Sequence, residues 1–416
     1  MPAVRRLPIA GAVVVAVALT VVLSTHANLT TAELRADPEV DIVVAPTEEA
    51  PSAAPTRDPS AAQPPPDASA PGQVYVRPAA FAKVTGSPAD VAIWRHPTDR
   101  RKSVVLGAAL DGGIAAYDLA GRRFLTLRGP GARPTGVDVL YRFRFDPAWT
   151  NDIAVVTDGA TGRLRAMAFR PVAAGFGNPL IEEVTAPDVP VIFADGMPRD
   201  IAVWQDGTGA YAVVAQDGTA RLALVRLTPA PGRKVAYEVI RTLDLPTDLV
   251  THDLTPWTPC GPAPVIGLVA DASALYVAQR GVGIWRLTPD LTGEPTFVDV
   301  VSQFGATPAA DGTCGPGEGS DRLPDVGALA LYPGHLLAAT PGNGRFAVYT
   351  RQPVQYVGKF RLVGVPATGG LAVTNLALGA PYGGGLLVAG GGGNTFALVR
   401  WDGLARRLGL PVDTRG

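Results

Sequence analysis

Two kinds of apolar segment alternate along most of the chain, and both are typical of β-strands. The first is a hairpin, in which an apolar, β-branched strand, a turn containing Gly or Asp and a second alternating strand follow one another. Asp-Gly, Gly-Gly and Gly-Asn pairs at these turns supply the positive φ that tight hairpins need. Six such hairpins begin about 50 to 65 residues apart, at 103–119, 152–169, 210–227, 274–287, 335–350 and 384–401.

The second kind of segment is a short strand that precedes each hairpin and is mostly apolar. Because these runs are apolar on both faces, they fit strands that are sandwiched between other layers. They lie at 90–94, 136–141, 200–204, 266–270, 326–332 and 370–375. We refer to them as inner strands.

Six ordered copies of inner strand plus hairpin predict an all-β fold, a six-bladed β-propeller over residues 80–405 with a tail at 406–416. One four-stranded blade cannot bury both of its faces alone, whereas a ring of six buries them all and leaves few open edges. The strand around Tyr75 is expected to pair into the last blade and close the ring. A β-sandwich with a second domain is the alternative, and the regular order of the copies disfavours it.

The first 27 residues have the pattern of an export signal. Arg5 and Arg6 precede an uninterrupted apolar run from Leu7 to Leu23, and a small residue, Ala27, stands before a suitable cleavage point. The run has 17 residues, the lower limit for spanning a bilayer, so an uncleaved anchor that tethers the protein to a membrane remains an alternative. A buried core helix is disfavoured because the run has no polar face. We therefore expect a periplasmic or extracellular protein.

Residues 28–79 are expected to form a disordered linker. The stretch from Ala45 to Pro71 is dense in Pro, Ala, Ser and acidic residues. Such a composition cannot bury enough apolar surface to offset its ordering entropy, and its prolines favour extended conformations.

Composition and charge exclude several classes of function. The 48 Gly and 40 Pro residues favour many turns and argue against a helix bundle. A formal net charge of −1 gives no basic excess that would indicate a nucleic-acid partner. Two cysteines cannot build a zinc ribbon or an iron–sulfur site. The chain contains neither His-Glu-x-x-His nor Gly-x-Ser-x-Gly, and the glycine run at 390–393 is a hairpin turn rather than a phosphate loop.

Two loops are longer than the plain repeat, and both lead into inner strands. They span about 247–264 and 303–324, so they should lie over one end of the central channel, which we name the top face. One loop carries Cys260 and the other Cys314. In an exported chain a lone pair of cysteines predicts a disulfide, here between the entrances of two neighbouring blades. Two free buried thiols are the alternative.

Polar residues of these loops and of nearby strand ends are candidates for ligand binding. A solvated, turn-rich cap is the favoured explanation of the loop residues, and a rebuilt binding surface is the sharper alternative. Arginines near inner-strand or hairpin ends could hold anionic groups. The candidates are Arg133, Arg199, His252, Asp253, Arg280, Asp321 and Arg322.

Eight segments, in order from about residue 80 to 402, resemble the β-propeller phytases. Among them are DVAIWRHPTDRRKS from Asp90, LDGGIAAYDLAG from Leu110, LYVAQRGVGIWRL from Leu275 and NTFALVRW from Asn394. The resemblance implies a calcium-dependent 3-phytase, a phosphomonoesterase of myo-inositol hexakisphosphate. Calcium ions over the top face would bind the substrate phosphates and lower the pKa of an attacking water.

The chain departs from the family at most positions that the resemblance would make functional. The family's paired lysines are Leu110 and Asp111 here, and the arginine of the second hairpin is Gly159. A family glutamate is Ile266, and the aspartates of the sixth inner strand are Gly369 and Ala372. Calcium requires six to eight oxygen ligands, several of them carboxylates.

Three acidic residues remain at the family's metal positions, namely Asp90, Asp217 and Asp325. They are too few for a cluster of several calcium ions, although one retained cation site is an alternative. An Asp at a strand end also often caps a turn without binding anything. Calcium binding is therefore expected to be weak or absent.

Two functional hypotheses follow. The first is an exported phytase-like hydrolase with weak or lost activity. The second is a non-catalytic propeller, a monomer, that binds a protein, glycan or small ligand on its top face without contacting nucleic acid. The residues favour the second and the resemblance favours the first.

Overall fold

Tight turns join the predicted strands into antiparallel sheets in the computed structural model. The structure describes residues 74–129, 131–170, 177–311, 313–341, 344–365, 369–391 and 393–412. The predicted leader (1–27) and the predicted linker up to residue 73 lie outside the described residues. Among the residues that are described, no helix is long and apolar enough to cross a membrane.

The first three sheets each contain four strands in chain order, from the inner strand outward. Blade 1 consists of β3 (Pro88–Trp94), β4 (Val104–Ala109), β5 (Gly113–Tyr117) and β6 (Arg123–Leu127). Blade 2 consists of β7 (Pro134–Asp146), β8 (Trp149–Asp158), β9 (Arg163–Arg170) and β10 (Leu180–Glu183). Blade 3 consists of β11 (Pro198–Gln205), β12 (Ala210–Gln216), β13 (Arg221–Ala230) and β14 (Lys234–Asp244).

The next three sheets repeat this arrangement. Blade 4 consists of β17 (Val265–Asp271), β18 (Ala274–Gln279), β19 (Gly283–Leu287) and β20 (Thr296–Val300). Blade 5 consists of β21 (Leu329–Tyr332), β22 (His335–Thr340), β23 (Arg345–Arg351) and β24 (Val354–Leu362). Blade 6 contains β25 (Leu371–Thr374), β26 (Leu386–Gly391) and β27 (Thr395–Arg400). Between blades 3 and 4, β15 (Leu249–Val250) and β16 (Pro256–Trp257) form a small separate hairpin.

The first two strands of the described chain close the ring, but not as the sequence predicted. β1 (Val74–Val76) lies parallel to β24 at the outer edge of blade 5, with Val74 opposite Phe360. β2 (Ala80–Lys83) is the antiparallel outer strand of blade 6, with Ala80 opposite Leu398. The expectation that the strand around Tyr75 would pair into the last blade is therefore wrong. The chain reaches the outer edge of blade 5 first, and the three residues after Val76 carry it to blade 6.

Each blade buries both faces against its neighbours. Six clusters of buried apolar side chains, one at each junction of adjacent blades, form the core of the described residues. At the junction of blades 1 and 2, Trp94 stacks on Phe169 with ring centroids 4.4 Å apart, and its Nε1 donates to Asp152 Oδ2 at 2.8 Å. The prediction of an all-β, six-bladed propeller is confirmed.

A short helix covers the junction of blades 5 and 6. Helix α1 (Trp401–Arg407) follows β27 directly, and its residues Trp401, Leu404 and Ala405 are fully buried. The Trp401 ring lies 4.8 Å from the ring of Tyr332 in blade 5. The polar side of the helix carries an ion pair between Asp402 and Arg406 at 2.8 Å, one turn apart.

Candidate functional site

The six inner strands β3, β7, β11, β17, β21 and β25 surround a central channel, and residues of all six line one cavity of about 560 Å³. The long loops enter the inner strands at the top face. At the opposite end the inner strands finish, and we name this end the lower mouth. It is formed by Arg95, Tyr141, Gln205, Asp271 and Asn375, with Arg351 beside them.

Three aspartates of the inner strands join neighbouring blades across the channel wall. An inner strand is an edge strand on its channel side, so its amides there lack a strand partner and need another acceptor. In each link an Oδ2 atom accepts a 2.8 Å hydrogen bond from a backbone amide of the next blade: Asp90 from Val137, Asp138 from Val203 and Asp200 from Leu268.

The same three carboxyl groups are half-buried along the channel, and they share a raised pKa. Burial raises the pKa of Asp138 to about 6 and that of Asp200 to about 7. Burial, followed by the nearby charge of Asp200, raises the pKa of Asp90 well above its usual value. These groups hold their protons more tightly than free aspartates do, and a protonated carboxyl is a poor cation ligand.

Glycines also allow the inner strands to approach one another closely. A Cβ on Gly267 would stand 2.4 Å from the carbonyl oxygen of Gly327 in the next inner segment. A Cβ on Gly370 would stand 2.6 Å from the Cα of Asp90, where blade 6 meets blade 1. No side chain fits these gaps without moving backbone.

The structure separates the three acidic residues that the sequence nominated as metal ligands. Asp90 lies in the channel wall and accepts from the amide of Val137. Asp217 lies in the exposed turn between β12 and β13, and its Oδ1 is 3.0 Å from Nη1 of Arg199. Asp325 lies before β21, and its Oδ1 accepts from the amide of Val326 at 2.8 Å.

These residues do not fit the calcium cluster that the resemblance implies. Asp90 accepts from a backbone amide and has a raised pKa, Asp217 is neutralised by an arginine, and Asp325 accepts from the amide of the next residue. In the part of the chain that the structure describes, no group of three or more His, Cys, Asp or Glu is placed to hold a metal ion. The donor set therefore supports no calcium-dependent step.

The predicted arginine candidates do not converge on one point. Arg199 forms the ion pair with Asp217. Arg322 is exposed and lies over the ring of Tyr356, 5.4 Å from its centroid, at a groove between blades 4 and 5. Arg133 and Arg280 are exposed on the top face, at the entrance of β7 and in the turn after β18.

The two long loops pack against each other and form a structured cap over blade 4. The Trp257 indole Nε1 donates to the carbonyl oxygen of Ala306 at 2.8 Å, and its ring lies 4.6 Å from that of Phe304. The backbone amide of His252 donates to Glu318 Oε2 at 2.9 Å, and the His252 Nδ1 lies 3.1 Å from the same oxygen. The pairing of these loops brings together residues that are 66 positions apart.

The remaining polar candidates of the cap are exposed. Asp253 accepts hydrogen bonds from the Thr251 hydroxyl and from the amide of Thr255, so it shapes the turn of the small hairpin β15–β16. The hydrogen bond from Thr251 lowers the pKa of Asp253. Asp321 is exposed at the end of the second loop.

Cys260 and Cys314 meet in this cap as free thiols, so the predicted disulfide is not formed in the structure. The prediction did identify neighbours, because a hydrogen bond with Cys314 is the largest cause of the raised pKa of the Cys260 thiol. The Cys260 Sγ also lies 3.3 Å from the carbonyl oxygen of Ala306.

Sequence reasoning missed two of the channel aspartates and the lower mouth. Asp200 begins a segment, DIAVW, that closely resembles the DVAIW that begins at Asp90, and this repetition was the available signal. Asp138 has no such counterpart. The stacking of Arg95 on Tyr141, with the guanidinium carbon 4.1 Å from the ring centroid, joins two blades and could not be read from either segment alone.

Two comparisons of the sequence with known proteins agree with each other. The family model described as Phytase matches residues 65–191. A 3-phytase of Bacillus subtilis (strain 168) is 23% identical over 348 residues, which cover 78% of this chain and 82% of the relative.

The solved structures that match are more distant from this chain. The Cps50 (Swd1) β-propeller domain of Myceliophteria thermophila is 12% identical, with a TM-score of 0.38 and coverage of 76% of this chain and 98% of that one. The computationally designed Ika8 protein is 14% identical, with a TM-score of 0.35 and coverage of 77% and 98%. The family match, the 3-phytase relative and the six blades together identify the chain as a phytase-like β-propeller.

Proposed function

We propose that this phytase-like propeller is a binding protein that acts through its top face and has lost calcium-dependent phytate hydrolysis. One observation carries the proposal: each acidic residue retained at a family metal position is committed to a contact within the protein. Asp90 holds a backbone amide of the next blade, Asp217 holds Arg199 and Asp325 accepts from the amide of Val326.

Phytate carries many negative charges, so calcium-dependent hydrolysis requires converging cations to bind it and a Lewis acid to generate hydroxide. The positions of the family's paired lysines are Leu110 and Asp111, and Asp111 is exposed, where it would repel phosphate. Arg133 and Arg280 could hold an anion, but an arginine does not act as a Lewis acid toward water.

Phosphate release from phytate, measured with calcium and with a chelator, tests the loss of activity. We expect no turnover above the rate without protein in either condition. Millimolar calcium should also leave the melting temperature unchanged, because ligands stabilise only a protein that binds them in the folded state. Release at about 1 to 1000 per second, a rate typical of enzymes, that required calcium would contradict the proposal.

The second candidate function is the family's own, a calcium-dependent phosphomonoesterase of inositol hexakisphosphate. The observation in its favour is the similarity to a 3-phytase over most of both chains. It requires calcium ligands other than the arrangement of Asp90, Asp217 and Asp325 described above. Under this candidate, Asp325→Asn would abolish calcium-dependent release, whereas Asp118→Asn, on an outer turn of blade 1, would leave it intact.

We propose the cap as the ligand surface. Leu254 lies at the tip of the β15–β16 hairpin with φ of 66° and is 79% exposed. A bulky residue in this conformation is strained, and an exposed leucine gains nothing from burial, so folding does not explain it. Val250 is 55% exposed on the same hairpin, and Asp253 adds an acidic charge. An apolar tip with an acidic neighbour fits a protein partner with a basic, apolar cleft.

Replacing Leu254 by Asn tests whether the leucine serves the fold. Asn adopts left-handed backbone more readily than Leu, so Leu254→Asn should keep or raise the melting temperature. Leu245→Asn is the matched control, since Leu245 is buried under the same cap and its loss should be destabilising. If Leu254→Asn is as harmful as Leu245→Asn, the leucine is structural and the cap is not a docking surface.

Export of the protein and oxidation of its cysteine pair belong to the same proposal. In an oxidising compartment Cys260 and Cys314 would be close enough to form the disulfide, which would fix the cap on blade 4. Thiol titration of protein recovered from the periplasm or medium should find no free thiols. Two free thiols in that material would contradict the disulfide.

A further inference from the structure

Arg95 places a positive charge at the lower mouth of the channel. Its guanidinium carbon lies over the ring of Tyr141, 4.1 Å from the centroid. The Tyr141 hydroxyl is itself fixed, because it donates to the carbonyl of Ile93 at 2.9 Å and accepts from the amide of Arg95 at 3.2 Å. Stacking holds the plane of a guanidinium and leaves N–H groups at its edge for a ligand.

Arg95 forms no ion pair within 4.0 Å with a carboxylate of the described residues. The other arginine of the lower mouth shows the opposite arrangement. Arg351 places Nη1 2.7 Å from Asp271 Oδ2, Nη2 3.0 Å from the Ser273 hydroxyl and Nε 3.2 Å from the Tyr276 hydroxyl. Arg351 and Asp271 therefore neutralise each other, whereas Arg95 has no such direct partner among the described residues.

Apolar residues also line the cavity above this charge, alongside the edge backbone of the inner strands. Ile93, Val139, Val203, Leu331 and Val373 line it from five different blades. Its volume of about 560 Å³ lies in the range of small-molecule sites, roughly 300 to 1,000 Å³. A ligand that fits would combine one anionic head with a short apolar body.

We propose that the lower mouth binds a small monocarboxylate, with its carboxylate on the edge of the Arg95 guanidinium and its apolar body in the channel. The amide side chain of Asn375, which also lines the cavity, is a further donor for the head group. A phosphate dianion fits less well, because one charge would remain uncompensated beside the acidic channel wall. This site lies at the opposite end of the channel from the top face and does not depend on the function proposed there.

Titration calorimetry with hexanoate and benzoate tests the proposal on the full chain. The neutral hexanamide and inorganic phosphate serve as comparison probes. We expect both carboxylates to bind, hexanamide to bind at least about tenfold more weakly because it lacks the charge-assisted hydrogen bonds, and phosphate to bind more weakly than hexanoate. Absence of carboxylate binding, equal binding of hexanamide, or tighter binding of phosphate would each overturn the assignment.

Variants locate the site. Arg95→Gln should weaken hexanoate binding at least about tenfold, whereas Arg144→Gln, an exposed arginine of β7 that does not line the cavity, should leave it unchanged. Ala270→Phe keeps the charge and fills the channel, so it should also remove binding and gives a second test if Arg95→Gln folds poorly. A variant counts as a test when it retains the wild-type circular dichroism spectrum. Unchanged affinity for hexanoate in such a variant, whether Arg95→Gln or Ala270→Phe, would contradict the site.

Discussion

The junctions among blades 1 to 4 and the junctions on the other side of the ring bring the inner strands together in different ways. From blade 1 to blade 4, an aspartate carboxyl spans each gap and accepts an amide of the next inner strand. Where blade 4 meets blade 5 and blade 6 meets blade 1, Gly267 and Gly370 let backbone contact backbone. The junctions among blades 1 to 4 thus rely on polar spacers, with an added glycine contact at Gly136, whereas the other two junctions rely on the absence of a side chain.

The difference shows that the inner strands of a propeller can stay in contact while the polar groups that line the channel change. A carboxyl spacer satisfies edge amides but must be desolvated, which raises its pKa. A glycine contact introduces no titratable group but tolerates no substitution. Of the three acidic residues predicted as metal ligands, Asp90 serves as such a spacer.

The largest expected effect comes from adding one methyl group on the glycine side. Gly267→Ala would place a Cβ 2.4 Å from the carbonyl oxygen of Gly327, so a backbone segment must move. We expect a loss of about 3 kcal/mol in the free energy of unfolding. Urea denaturation measures it, with Gly207→Ala as the control, because a Cβ there meets nothing within 4 Å. Equal stability of the two variants would show that the junction is not tightly packed.

The aspartate spacers should contribute less to the stability of the folded protein as the pH rises. The pKa values of Asp138 and Asp200 are about 6 and 7 in the folded protein, above the value of about 4 for an unfolded aspartate. The folded state therefore binds more protons than the unfolded state between these values. The stability that these carboxyl groups contribute is full below about pH 4 and is lost as the pH rises through 6 and 7. Asp90, whose pKa is also raised by burial, acts in the same direction.

Thermal unfolding at pH 5, 6, 7 and 8 measures this loss. Asp271, whose pKa is lowered to about 2, is ionised in both states throughout this range and adds no slope. Burial lowers the pKa of His96, so that residue contributes in the opposite direction. Asp200→Asn removes the pH dependence that one carboxyl group contributes and leaves that of His96. The stability of this variant should therefore fall less than that of the wild type as the pH rises. A steeper fall in Asp200→Asn would contradict the assignment.

Truncating a spacer should cost less than blocking a glycine contact. Asp200→Ala leaves the amide of Leu268 without its acceptor, which should destabilise the protein by about 1.5 kcal/mol at pH 5. Asp200→Asn keeps a carbonyl oxygen in place and resembles the protonated acid, so it should cost much less. Urea denaturation of both variants separates the hydrogen bond from the side-chain volume. If Asn is as harmful as Ala, the Leu268 amide does not depend on this acceptor.

The ring itself could be predicted from the sequence because the repeated hairpins and inner strands are local patterns. Its closure could not, since the pairing of β1 with β24 joins residues nearly 300 positions apart, and nothing in the segment around Tyr75 selects blade 5 over blade 6. Helix α1 was missed because its apolar residues continue directly from β27.

The site was less predictable than the fold. Sequence position suggested Asp90, Asp217 and Asp325 as remnants of one site, but their roles depend on partners from distant segments, such as Val137 and Arg199. The two cysteines were correctly placed in adjoining loops because both loops enter neighbouring inner strands. Their oxidation state depends on the compartment and not on the spacing.

The smallest expected effect concerns an acidic residue at the rim of blade 3. Asp217 pairs with Arg199 at 3.0 Å, but 54% of its side chain is exposed, and exposed ion pairs contribute little because water screens them and the side chains lose entropy. Asp217→Asn should therefore change the free energy of unfolding by less than about 0.5 kcal/mol, and added salt should leave that small difference unchanged or reduce it. Urea denaturation of Asp217→Asn and Asp200→Ala compares two residues of one blade. Asp200 follows Arg199 in the sequence, and Asp217 contacts Arg199 in space. A loss equal to that of Asp200→Ala would mean that the rim supports the ring as strongly as the channel spacers do.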